Sequence, residues 1–102
     1  MGLILNSISF NWDEGNIKKN LIKHNVSIQE SEEIFFEDPL MTYQDLKHST
    51  HIEKRYVALG KTRDNRMLFC VFTIRQNKIR IISIRDMKKQ ERRSYEKFEK
   101  DT

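Results

Sequence analysis

At 102 residues, with 37% hydrophobic and 33% charged positions, three glycines and one proline, the chain holds enough apolar material for one domain. It is too short for a second core and writes in no flexible linker. Nineteen Lys/Arg against fifteen Asp/Glu leave a net charge of +4, and the charge is segregated, with −5 on residues 1–53 and +9 on residues 54–102. The longest apolar stretch, residues 68–74 broken by Thr73, is far too short to span a bilayer, and Met1-Gly2-Leu3-Ile4-Leu5 lacks the basic start and length of a signal peptide. The single Cys70 has no disulfide partner, so a cytoplasmic protein without membrane contact is expected.

Residues 7–12 alternate polar and apolar, the period of a half-buried strand. Asp13 then stands at an N-cap position, and a helix is predicted over 14–24 with Ile17, Leu21 and His24 on one face. Asn25 follows as a left-handed helix end. Ser27 and Glu30 read as a capping box for a second helix, which draws apolar contacts from Ile28, Ile34 and Phe35 and is stopped by Asp38-Pro39. Residues 40–46 suit a short edge strand, and 55–60 alternate again with Val57 and Leu59 on one face. A turn at Asp64-Asn65 leads into a continuously apolar central strand, 68–74. Gln76-Asn77-Lys78 turns into its partner, 79–85, and Asp86 is expected to cap a final helix over 87–99. Met87, Tyr95 and Phe98 form a thin stripe on that helix, whose outer surface a partner chain is expected to cover. The order β-α-α-β-β-β-β-α predicts an α+β fold, an antiparallel meander with two N-terminal helices and one C-terminal helix.

Chemistry-bearing residues concentrate on the strands. Arg75 ends one core strand, and Arg80 and Arg85 lie in the other. A charged group rarely sits on a core strand without a partner, because burying it unpaired costs several kcal/mol, on the order of 3–5. Simple alternation sends Arg80 and Arg85 to opposite faces, while Arg75 and Arg85 both fall at strand ends where a cleft can form. Forked guanidinium donors there would clamp phosphate; ion pairing to Glu53, Asp86 or Glu91 explains them equally well. Glu53 and Arg55 share a face, as a flank for substrate or a surface ion pair. Lys23-His24 ends the first helix, with His24 either a proton-transfer group or a packed side chain. Tyr95 lies four residues after Glu91, more in keeping with a core position. The Asp45, His48, His51 spacing lacks a fourth metal ligand and is discounted, and Cys70 within a core strand is expected to be inert.

With these residues in view, the chain resembles the BrnT family of toxins, whose fold is similar to that of RelE-type ribonucleases. The resemblance runs from about Phe10 to Tyr95. It comprises Phe10-Asn11-Trp12-Asp13, Asn20 with Lys23-His24, Val26-Ser27 with Glu30, and Phe35 with Asp38-Pro39. It continues through Glu53 with Arg55, Gly60, Phe72-Thr73 with Arg75, the run Ile79-Arg80-Ile81-Ile82-Ser83-Ile84-Arg85, and Glu91 with Tyr95. The family pattern usually has Lys at position 16, Gly at 25, and Ala at 84 and 87, where this chain has Asn16, Asn25, Ile84 and Met87. The resemblance implies metal-independent RNA cleavage that inhibits translation, with no cofactor and with a BrnA-like antitoxin as partner. DNA would be met only indirectly, through the antitoxin complex. On this basis Arg75 and Arg85 are assigned to phosphate and transition-state charge, and Lys23, His24, Glu53 and Tyr95 to proton handling or orientation. Lys18, Lys19, Arg55 and Arg80 are assigned to RNA binding. The alternative from another class is a non-catalytic module that binds antitoxin and nucleic acid in autoregulation.

Overall fold

A computed structural model describes residues 8–102. The elements are α1 (Glu14–His24), α2 (Ile28–Glu33), β1 (Met41–Asp45), β2 (Arg55–Lys61), β3 (Met67–Arg75), β4 (Lys78–Asp86) and α3 (Lys89–Lys100). The four strands form one antiparallel sheet in the order β1-β2-β3-β4, so the architecture is the α+β meander with two helices before it and one after.

Local chemistry explains most of the boundaries. Asp13 accepts from the Asn16 N–H at 2.8 Å to start α1, and Asn25 ends it with φ 52, a left-handed geometry that asparagine tolerates. The Ser27–Glu30 capping box is present at the start of α2. Gln76 and Asn77 both have positive φ, the two-residue turn whose twist suits a tight hairpin, so Lys78 already belongs to β4. In the other hairpin only Asn65 is left-handed.

Several expectations change. The strand over 7–12 reduces, within the described residues, to a parallel bridge of Phe10 to Ile79, because Trp12 turns away to donate to Glu32 at 2.8 Å and Asp13 begins the helix. Ser7 lies outside the described residues. Helix α2 ends at Glu33, ahead of Asp38-Pro39. Asp86 does not cap α3; it is the last residue of β4, paired with Arg66, and Glu91 instead accepts the Lys88 N–H at 2.7 Å. The stripe on α3 is covered by the chain's own sheet, with Tyr95 and Met87 buried and Phe98 half-buried.

The sheet separates two apolar clusters. One face carries Ala58, Leu68, Cys70, Phe72, Ile79, Ile81 and Ile84 against Val26, Ile34 and Phe35. Gly60 belongs to this contact: a Cβ there would meet Ile34 Cβ at 3.1 Å and Leu40 Cδ1 at 3.2 Å, so glycine lets α2 approach the sheet. The other face packs Val57, Leu59, Met41, Met67 and Phe69 against Met87 and Tyr95. Tyr95 is wholly buried and donates to the Pro39 carbonyl at 2.6 Å. Helix α1 does not bury the expected apolar stripe, since Leu21 is exposed. It runs along the outer edge of β4 instead. Asn16 donates to the Ile81 carbonyl, Lys19 donates to the Ile82 carbonyl at 3.3 Å, and Asn20 accepts from the Ile84 N–H at 3.3 Å. Those side chains occupy polar groups that an edge strand otherwise leaves open.

Candidate nucleic-acid interface

A bulge decides where the arginines point. Ser83 is paired with Val71 and Ile81 with Phe72, which leaves Ile82 as an extra residue in β4. Alternation therefore breaks between Ile81 and Ile84, both of which lie in the first cluster. Arg80, between buried Ile79 and Ile81, faces the other side. So does Arg85, whose guanidinium lies 4.1 Å over the Phe69 ring. The opposite-faces expectation for this pair is corrected: the bulge puts them on one face.

That face is only partly covered. The cluster under α3 takes in Met41, Val57, Leu59, Met67 and Phe69, and beyond it Tyr43 is exposed and Val71 and Ser83 are half-buried, while Thr73 is buried. Register then sets out what the uncovered part presents. Asp45 is paired with Arg55 and Thr73 with Arg80, while Arg55 and Thr73 extend the same antiparallel register by one step. Arg55 and Arg80 thus flank buried Thr73, with Cα atoms about 10 Å apart across three strands. Arg75 and Lys78 pair at the hairpin end beyond them. Tyr43, Val57, Val71 and Ser83 make the next row inward.

Every guanidinium here has a carboxylate neighbour. Glu53 accepts from Arg75 at 3.1 Å and lies 3.5 Å from Arg55. Arg80 meets Asp13 at 2.6 Å and Asn11 at 3.3 Å, and Arg85 holds Glu91 through two bonds of 2.8 and 3.0 Å. Asp13 sits below the usual carboxylate range because the Asn16 N–H and then Arg80 stabilise its charge. For Glu91, burial opposes ionisation, but Arg85 and the Lys88 N–H prevail and hold it low. The Tyr43 phenol is raised, first by burial and then by the charges of Glu91 and Asp45, with Arg85 opposing.

The sequence-chosen residues do not form one site. Glu53, Arg55 and Arg75 come together, with Arg80 beside them. Arg85 shares their face but is paired with Phe69, six residues from Arg75 along β3 and roughly 20 Å away. The expected Arg75–Arg85 clamp on a single phosphate is therefore withdrawn. Lys23 and His24 end α1 at the Asp86 end of β4, opposite to Glu53. Tyr95 has no exposed surface from which to handle a substrate proton; burial pushes its phenol up to about 12. Lys18 is exposed on α1, and Lys19 is engaged with the Ile82 carbonyl. Asp45 and His48 pair at 2.9 Å, and no metal-binding group of three assembles among the described residues. Burial pushes the Cys70 thiol up, which leaves it unreactive.

Sequence reasoning left two residues out of the site, Tyr43 and also His51, which it weighed only as a metal ligand with Asp45 and His48 and discounted. His51 lines a cleft of about 370 Å³ with Glu53, Lys54, Tyr56, Thr73, Ile74 and Arg75 at the hairpin end, where the sheet's end turns toward the first cluster that Tyr56 and Ile74 pack against. Its signal was its closeness to Glu53 in the same loop. Tyr43 lies on the uncovered face, and its period-two relation to Met41 and Asp45 was the available clue.

The fold and this arginine-bearing face define a small α+β protein with a four-stranded meander. Residues 12–91 match the family model described as ribonuclease toxin, BrnT, of type II toxin–antitoxin system, and the chain belongs to that family. It is thus a ribonuclease toxin whose substrate is RNA and whose partner is a protein antitoxin. A search of curated proteins gives no match. No helix among the described residues is long and apolar enough to cross a membrane.

Proposed function

We propose that the chain is a metal-independent endoribonuclease which cuts RNA laid over the uncovered sheet face, and that a BrnA-like antitoxin restrains it. The observation that carries this reading is the sharing of Glu53 by Arg55 and Arg75, with Arg80 across Thr73 from Arg55 and with His51 lining a cleft alongside Glu53 and Arg75. Cleavage through the ribose 2′-hydroxyl needs a base for that proton, cations for the phosphorane charge and an acid for the leaving oxygen. Glu53 supplies a carboxylate for the first role. Arg75 and Arg55 supply forked donors for the second, with Arg80 holding the neighbouring backbone. His51 supplies the third. Arg85 contributes charge farther along the strand of RNA rather than at the scissile phosphate. The two helices before the meander and the one after it support the likeness to RelE-type ribonucleases.

The test is RNA cleavage and growth arrest by purified or induced protein. Wild type is expected to cut in excess chelator with a bell-shaped pH profile. Glu53→Gln and His51→Ala are expected to lose at least a hundredfold in cleavage, within the usual range for general acid–base groups of about 10²–10⁴, while still binding RNA. Loss of cleavage in chelator contradicts metal independence. Wild-type rates in both variants place the chemistry elsewhere.

A further inference from the structure

Of the large exposed apolar side chains among the described residues, Tyr43 is the one whose strand position puts it on the uncovered face, at 45% exposure. It forms one wall of a groove of about 430 Å³ between β1 and the start of α3, with Met41 and Leu59 as its apolar floor. The rim is polar: Lys88 just before α3, Gln90 and Ser94 on it, with Glu91 held by Arg85. A flat aromatic wall, an apolar floor and amide and hydroxyl groups at the edge suit a planar heterocycle with hydrogen-bonding edges. Lys88 beside it suits the phosphate to which that heterocycle is attached.

We propose that this groove is a nucleobase subsite, in which Tyr43 stacks an unpaired base of the bound RNA while Lys88 meets the adjoining phosphate. Single-stranded RNA presents its bases unstacked, and aromatic side chains on a sheet face capture them with little dependence on sequence. The subsite rests on the reading that RNA lies over this face. It deepens that reading by separating base contacts at Tyr43 from backbone contacts at Arg55, Arg75 and Arg80. The groove lies one row inward from Arg55 and toward Arg85, so it would hold a nucleotide neighbouring the one cut. Stacking uses the ring and not the hydroxyl, so this role is a positioning one.

The experiment measures binding of a short labelled single-stranded 2′-O-methyl RNA of mixed sequence, and of the same backbone lacking bases, together with cleavage of ordinary RNA. Tyr43→Ala is expected to weaken binding of the base-bearing oligomer by about five- to a hundredfold and to leave the baseless backbone unaffected. Tyr43→Phe is expected to match wild type within about twofold in binding and cleavage, because it keeps the stacking ring. Equal losses in Tyr43→Phe and Tyr43→Ala overturn the subsite in favour of a hydroxyl role, and equal losses on both oligomers overturn it in favour of a backbone contact. If Tyr43→Ala binds RNA normally but loosens the complex with the co-expressed antitoxin, the groove docks protein and the proposal fails. Wild type that binds and cuts RNA, with an unaffected Tyr43→Ala, removes the subsite alone; wild type that does neither removes the underlying reading with it.

Discussion

Arg66 and Arg75 stand at the two ends of β3 and use the same guanidinium differently. Arg66 donates to both oxygens of Asp86 at 2.8 and 3.0 Å and to both of Glu30 at 3.1 Å. It also donates to the carbonyls of Asn25 and His24 at 2.8 and 3.1 Å, and only a quarter of its side chain is exposed. That one fork ties the end of α1, the start of α2 and the end of β4 together. Arg75 makes a single contact, to Glu53, which lies near Arg55 as well, and half of its side chain is open. An arginine with its donors filled by several elements is structural, whereas one with a shared, exposed carboxylate keeps donors for a ligand. Arg85 is closer in kind to Arg66, clamped to Glu91, stacked on Phe69 and about as little exposed.

Removing Arg66 should have the larger effect on folding. Arg66→Ala removes a donor from Glu30, Asp86 and two carbonyls, and a loss of about 2–3 kcal/mol is expected, after allowing for partial exposure, in urea unfolding. A loss below about 0.5 kcal/mol would break the distinction, because that is the range of ordinary surface substitutions.

Acid should expose the same node more gently. Arg66 holds the Asp86 carboxyl below its ordinary 3.8, and although burial opposes ionisation of Glu30, the Ser27 N–H and Arg66 hold it below 4.5. Lowered folded-state values mean stability present above the unfolded values and lost as pH falls through the folded ones. Unfolding midpoints should therefore be flat near neutrality and drop below about pH 4.5. In Arg66→Ala that drop should be shallower, and an unchanged slope would remove Arg66 from the account.

The smallest stability effect is expected at Arg75. Arg75→Ala should shift unfolding by less than about 0.5 kcal/mol, because it frees one exposed carboxylate and no backbone group. Its cost should appear in RNA cleavage instead. A large destabilisation there would make Arg75 a second Arg66.

Much of the fold was legible because its signals are local. Asp13, Asn25 and the Ser27–Glu30 box act within a few residues, and the strands at 55–60 and 68–74 announced themselves by period and by continuous apolarity. The site was less legible because it depends on register. A single extra residue at Ile82 reverses the direction of Arg85, and no local pattern in an isoleucine-rich strand marks a bulge. Likewise nothing local in the sequence marks Arg66, since its partners lie 20 to 42 positions away in the chain. Tyr95 was correctly suspected of belonging to the core, but its partner, the Pro39 carbonyl, could not be read from the helix that carries it.

The affinity of Arg55→Ala/Arg75→Ala for single-stranded RNA over a range of salt concentrations probes the cationic face most directly. The matched control is Arg63→Ala/Lys100→Ala, which removes the same charge from positions outside that face. The face variant should bind weakly, with the slope of log affinity against log salt reduced by about two, and the control should stay near wild type. Equal behaviour of the two variants, or a loss confined to the control, would contradict binding on this face.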